Sequence, residues 1–259
     1  MVGPAVVTGA TSGIGREYAR RLASQGTDLI AVGRRRERLD ELVREFPAVT
    51  VQPVVADLAT RVGIGAVVAA IGDRPVTMLV NNAGVAHYMP FVDLPSEQAA
   101  ELTGVKVVAP VLLARAVAPS MVERGEGAIV NVSGMIAFSG PASLEQVPLR
   151  RAVYAASLAH SVALSQTLHA ELGPQGVRVQ ALVPGVVATE FHERQGMDLS
   201  AVTRMSAADV VTASLRGLEL GEVVTAPGVE RDDLLQAVFT ADLAAFGAQS
   251  PELASRYRD

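Results

Sequence analysis

Short apolar runs rich in valine and isoleucine alternate with segments of helical periodicity along most of this chain, and no other feature narrows its possible folds as much. Residues 2–8 read as an apolar strand that breaks at Gly9. Helical periodicity follows to residue 26, with Tyr18, Leu22 and Ala23 on one face. Further strands are expected at 28–32, 51–55, 78–80, 128–132 and 177–183. Helices are expected over 36–46 and 61–71, on either side of Gly104, and around Tyr154. Parallel neighbours need crossovers, and crossovers are right-handed. The alternation therefore predicts an α/β fold, a doubly wound parallel sheet with helices on both faces and ligands at the carboxyl ends of the strands. Beyond Phe191 the rhythm changes to a helix over 207–220, a short strand at 223–225 and a helix near 233–246.

Composition removes several function classes. A chain of 259 residues buries a large core as one domain, and 49% hydrophobic with 19% charged residues suits a sheet covered on both faces. Without cysteine there are no disulfides, thiolate metal sites or cysteine nucleophiles. The net charge of −5 and the lack of a basic stripe argue against a nucleic-acid partner. Residues 105–122 are the most apolar long stretch, but Lys106, Arg115 and two prolines make it a poor membrane span. The chain starts directly in a strand, so a cytoplasmic protein with no membrane partner is expected.

The first strand meets the first helix through Thr8, Gly9, Ala10, Thr11, Ser12, Gly13, Ile14 and Gly15. Glycines there let backbone amides approach a pyrophosphate, and the helix N-terminus favours its charge. Asp57 and Leu58, the Asn81-Asn82-Ala83-Gly84 turn, Tyr154, Pro184-Gly185 and Thr189 follow in order. This series resembles the short-chain dehydrogenase/reductase family over residues 1 to about 190. The resemblance implies a single-domain Rossmann-type fold over 1–259, with 190–250 as its substrate-binding region, and a homodimer or homotetramer acting on a small-molecule substrate. It also implies a nicotinamide dinucleotide on Gly9, Thr11, Ser12, Gly13, Ile14, Gly15, Leu58, Tyr154, Pro184 and Gly185. Asp57 would face the adenine, Asn81, Ala83 and Gly84 the adenosine ribose, and Thr189 the carboxamide. After the second strand stands Gly33-Arg34-Arg35-Arg36, with no acid before Glu37. Arginine there binds a 2′-phosphate that a carboxylate would repel, so NADP(H) is expected over NAD(H), with Arg34 on the phosphate and Arg35 assisting.

The family's standard catalytic set is asparagine, serine, tyrosine and lysine. The tyrosine exchanges a proton with the substrate oxygen and the serine holds that oxygen. The lysine binds the nicotinamide ribose and lowers the tyrosine pKa, and the asparagine anchors a water leading to solvent. Matched position by position, Tyr154 is kept, but Lys106 stands for the asparagine, Gly134 for the serine and Leu158 for the lysine. Ser133 lies one residue early and is expected to point away from the site. The extra segment 143–151 is expected to be able to bring Ser139, Ser143 or an arginine into the pocket as a replacement. Lys106 is the single lysine among 22 basic residues. It is a candidate for the missing cation, the alternative being a surface or interface lysine. An ordinary tyrosine is about one-thousandth phenolate at neutral pH, so loss of the cation harms oxidation, which needs a base, more than reduction, which needs an acid. His87 and His192 are candidates for the substrate pocket, His160 is expected on another face and His169 in solvent. Their spacing suggests no metal. The leading reading is an NADP(H)-dependent oxidoreductase that reduces a small organic carbonyl, with an atypical site built on Tyr154 and Lys106. The alternatives are a non-redox cyclase, isomerase or lyase that keeps the NADP pocket, and a non-catalytic cofactor-binding protein.

Overall fold

The computed structural model describes residues 3–140, 150–199 and 201–258. Its main sheet consists of β1 (Ala5–Thr8), β2 (Leu29–Gly33), β3 (Val51–Val55), β4 (Met78–Asn81), β5 (Gly127–Val132), β6 (Val177–Leu182) and β9 (Val224–Thr225). All pairings are parallel and the order is β3-β2-β1-β4-β5-β6-β9, the doubly wound arrangement that the alternation predicts. A separate short parallel pair joins β7 (Val187–Ala188) to β8 (Met205–Ser206). The strand order reverses between β1 and β4, which opens a crevice at their carboxyl ends.

Successive strand residues point to opposite faces, so a parallel sheet needs two cores. On one side Val6, Ile30, Leu79 and Ile129 pack with residues of α3 (Arg61–Ile71) and α5 (Ala109–Arg124). On the other, Val7, Ala31, Val80 and Val130 meet Tyr18 and Leu22 of α1 (Gly13–Ser24), Leu39 of α2 (Arg36–Glu45) and Val210 of α7 (Ala207–Leu220).

The two helical patterns flanking Gly104 are not separated by a break. α4 (Ser96–Thr103) passes into α5 through a π-helical turn, Gly104–Val108. A Cβ on Gly104 would lie 2.9 Å from the Ala59 carbonyl oxygen, so the glycine permits close approach to that loop. The stretch Ser96–Arg124 is long and apolar enough to cross a membrane, yet Leu102, Leu113, Val117 and Met121 within it are buried in the core. α6 (Ala152–Leu172) begins two residues before Tyr154.

Residues 228–259 form a compact unit of their own around α8 (Asp233–Gly247), with Leu243 and Phe246 exposed.

One buried polar chain ties α1 to α7 and β6. The fully buried Tyr18 hydroxyl donates to Ser214 Oγ, which donates to Gln180 Oε1, while Gln180 Nε2 reaches Thr225 Oγ1 at 2.8 Å. A buried bond of this kind contributes about 1 kcal/mol net. Tyr18→Phe is expected to lower unfolding free energy by about that amount in urea titrations, with an unchanged m-value.

Candidate active site

A cavity of about 710 Å³ opens at the carboxyl ends of β1, β2, β4 and β5. Its cofactor half is built by close backbone approach. Gly9 has φ +69° and Gly13 φ +52°, a region that disfavours other residues. A Cβ on Gly13 would meet Thr189 Cγ2 at 2.9 Å, and one on Gly15 would lie 2.3 Å from Asn82 Nδ2 and 2.4 Å from the Gly9 oxygen. Ser12 caps α1 in extended conformation without a side-chain hydrogen bond to the helix, which leaves the N-terminal amides for an anion. These features fit a dinucleotide pyrophosphate.

Gly9, Thr11, Ser12, Gly13, Ile14, Arg34, Arg35, Asp57, Leu58, Ala83, Gly84, Pro184, Gly185 and Thr189 all line the cavity. Gly15 and Asn81 do not. Gly15 is buried beneath the loop as a packing contact. Asn81 faces the α5–α6 side of the sheet, where its Nδ2 donates to Asn131 Oδ1 at 2.9 Å. Its neighbour Asn82 reaches the cavity instead and donates to the Thr8 oxygen at 3.0 Å. Strand alternation explains the exchange, since the last residue of β4 still points into the core. The arginines differ in commitment. Arg35 donates to Thr11 and pairs with Glu190 at 2.7 Å, whereas the more exposed Arg34 pairs, among the described residues, with Glu101 at 3.5 Å.

The catalytic half places Tyr154, Lys106, Leu158, Gly134, His87 and His192 on the same cavity. Lys106 is not at the surface. It is 6% exposed, held on the π-helical turn, with Nζ donating to the Val132 oxygen at 3.2 Å. Gly84 makes the room, because a Cβ there would lie 2.8 Å from Lys106 Cε. Burial without a facing carboxylate pulls the ammonium pKa down to about 8. Leu158 is 1% exposed and its Cδ1 would stand 3.5 Å from a Cβ on Gly134, so the serine and lysine positions form one apolar contact.

Ser133, expected to point away from the site, lines the cavity and turns toward α6, on the same side as Asn131. Its hydroxyl is used there, donating to the Leu158 oxygen at 2.8 Å. Ser139 accepts from Arg151 Nη2 at 2.8 Å and does not line the cavity, and Ser143 lies outside the described residues. His87 Nε2 meets Glu101 Oε2 at 3.1 Å. His192 packs edge-on against Phe191, and burial followed by Arg204 lowers its pKa. His160 does not line the cavity, and His169 is half-buried near Gly173 instead of standing in solvent.

Tyr88 is the residue the sequence underplays. Its ring lies 5.5 Å from that of Tyr154, tilted by 60°. Tyr154 also stacks on Phe191 at 6.4 Å. Burial, and then Tyr88, push the Tyr154 pKa far above the ordinary tyrosine value, so its proton is held at neutral pH. Only the position of Tyr88 just after the Asn-Asn-Ala-Gly turn hints at this in the sequence.

The depressed Lys106 pKa has a stability consequence. Between about pH 8 and 10.5 the unfolded chain binds more protons than the folded one, so stability rises with pH across that window. Below about 8 the full cost of burying the charge is present. Lys106→Met is expected to raise unfolding free energy at pH 7 by about 2 kcal/mol, after loss of the Val132 hydrogen bond, and the gain is expected to shrink toward pH 10.5. Denaturant titrations at pH 7, 9 and 10.5 measure it.

The short chain dehydrogenase family model matches residues 4–199. L-xylulose reductase of Mus musculus is 38% identical over 195 residues, 75% of each chain. A short-chain dehydrogenase from Sphingobium yanoikuyae, solved in complex with NADPH, superposes with a TM-score of 0.92 at 34% identity, over 99% of this chain and 100% of that one. The bulky-bulky ketone specific alcohol dehydrogenase from Comamonas testosteroni gives 0.87 at 29%, over 100% and 99%. With its parallel sheet, its glycine cradle and these relatives, the chain belongs to the short-chain dehydrogenase/reductase family of nicotinamide-dependent oxidoreductases.

Proposed function

We propose that this protein is an NADPH-dependent reductase of a ketone or aldehyde, working with a depleted catalytic set in which Tyr154 is the acid and Lys106 the cation. The observation that carries the reading is the buried, protonated Tyr154 beside a complete dinucleotide cradle. Arg34 and Arg35 support the phosphorylated cofactor, as does the NADPH held by the Sphingobium protein. The ketone specificity of the Comamonas enzyme and the reductase activity of the mouse relative agree on the direction.

When bound, the reduced nicotinamide supplies the hydride that the carbonyl carbon accepts. Tyr154 then gives its proton to the alkoxide oxygen, a transfer that needs no prior ionisation of the phenol. Oxidation would require the phenolate, which this environment disfavours. Lys106, charged below about pH 8, puts a positive field on the cavity where Leu158 cannot. The Gly134 position lacks the donor that would hold the substrate oxygen, an absence worth roughly a hundred- to a thousand-fold in rate. Turnover is therefore slow. The apolar Leu158–Gly134 contact is the observation that favours the alternative, a non-redox reaction in the same cavity.

Absorbance loss of NADPH across a panel of aldehydes and bulky ketones tests the reading, with NADH as comparator. NADPH consumption several-fold faster than NADH consumption is expected, and binding of NADPH without consumption by any carbonyl would overturn it. Reduction is expected to fall as pH rises through about 8, where Lys106 loses its proton. Lys106→Met is expected to be slower at pH 7 and to lack that limb, and an unchanged rate and profile would remove Lys106 from the mechanism. Gly134→Ser has room, its Cβ meeting only 3.5 Å contacts. It is expected to raise kcat by roughly ten-fold or more.

A further inference from the structure

Residues 33–36 run Gly-Arg-Arg-Arg, so the end of β2 has no acid to meet a ribose 2′-hydroxyl. The fold brings one in from elsewhere. Glu101 stands on α4, one turn before Val105, and lines the cavity together with Arg34 and His87. Its two carboxylate oxygens are divided between two elements. Oε1 lies 3.5 Å from Arg34 Nη1, just after β2, and Oε2 lies 3.1 Å from His87 Nε2, in the loop after β4. A carboxylate only accepts, so the ring proton sits on His87 Nε2 and tethers the acid.

We propose that Glu101 is a specificity-determining residue for the cofactor. It brings a carboxylate to the 2′ end of the nucleotide pocket, where it offers an acceptor to a ribose 2′-hydroxyl and opposes the 2′-phosphate that Arg34 attracts. The inference rests on the NADPH reading of the arginines. Its consequence is a protein that prefers NADPH only weakly and takes NADH as well.

The charges around Arg34 carry the argument. Arg35 is committed to the Thr11 oxygen at 3.0 Å and to Glu190 at 2.7 Å, and Arg36 turns to Asp40 at 2.9 Å. Arg34 is the more exposed of the two arginines on the cavity and has the looser pair, so it is the one with freedom to meet a phosphate. An exposed pair at 3.5 Å is weak in itself and does not lock the pocket. What Glu101 does is cancel charge. A phosphate arriving at Arg34 meets, beside the same guanidinium, a carboxylate that His87 keeps in place. A 2′-hydroxyl carries no charge and can donate to that carboxylate. Asp57, Lys106 and Arg194 also line the cavity, and none of them pairs with Glu101 among the described residues. Arg194 faces Glu190 instead, at 3.7 Å.

The two cofactors differ by this one group, so their relative affinity reads the effect without any turnover. Calorimetric titration of the full chain with NADPH and with NADH gives the ratio of Kd for NADH to Kd for NADPH. In the wild type that ratio is expected between about two and ten. A preference for NADPH of roughly a hundred-fold or more overturns the proposal with no variant needed. Glu101→Gln keeps the size of the side chain and removes its charge. It is expected to raise the ratio about ten-fold, through tighter NADPH binding with NADH within two-fold. Glu101→Asp keeps the charge and is expected to stay within about three-fold of the wild-type ratio.

A ratio that Glu101→Gln leaves within two-fold of wild type overturns the proposal. So does an equal rise in the aspartate and glutamine variants, which would assign the effect to shape. A wild type that binds NADH the more tightly, while Glu101→Gln still raises the ratio ten-fold, overturns the NADPH preference and leaves Glu101 in its role. Cofactor binding with the expected ratios, but no consumption with any carbonyl, overturns the reductase reading alone.

Discussion

The junction of β1 with β4 is the constraint on which the rest of this molecule depends. The sheet changes winding direction there, so the two chains leave its edge apart and need side chains to hold the gap. Thr8 and Asn82 do this. Thr8 Oγ1 donates to the Val80 oxygen and accepts from the amides of Asn82 and Ala83, and Asn82 Nδ2 returns to the Thr8 oxygen. Each bond is modest, but together they fix the glycine loop on one side and Gly84 on the other. The cradle for a pyrophosphate and the space for Lys106 are thus set by one knot. Gly15 presses on it from α1, where even a methyl group would collide with Asn82.

Above that knot the catalytic half is organised by burial. Low polarity raises Tyr88 and Tyr154 and depresses Lys106 to about 8, so at neutral pH all three still hold their protons, the phenols as neutral acids and the lysine as a cation. Lys106, Tyr88 and Tyr154 reach the cavity from the π-helical turn, the loop after β4 and the head of α6.

Much of this architecture was legible from the order of residues alone. Val51–Val55, Arg61–Ile71 and Ala207–Leu220 begin and end where periodicity and turn residues place them. The glycine turn announces a strand-to-helix crossing that carries an anion site. Two things were not legible. Which of Asn81 and Asn82 faces the cavity depends on where β4 stops, and one residue reverses the answer. The Tyr88–Tyr154 contact joins residues far apart in sequence, by ring packing that leaves no periodic trace. The burial of Lys106 belongs with it. Within an apolar run a lysine reads equally as a surface residue or a buried one, and only the π-helical turn and the bare Gly84 decide between them.

Gly84 and Lys106 also bear on where the charge in this cavity stands. With 2.8 Å between the lysine Cε and the place of a Cβ on Gly84, a side chain at 84 would displace the flexible end of the lysine rather than strike backbone. The ammonium is thus aimed from the loop as much as from its own helix, and a residue with no side-chain atoms sets the address of a charge that belongs to another.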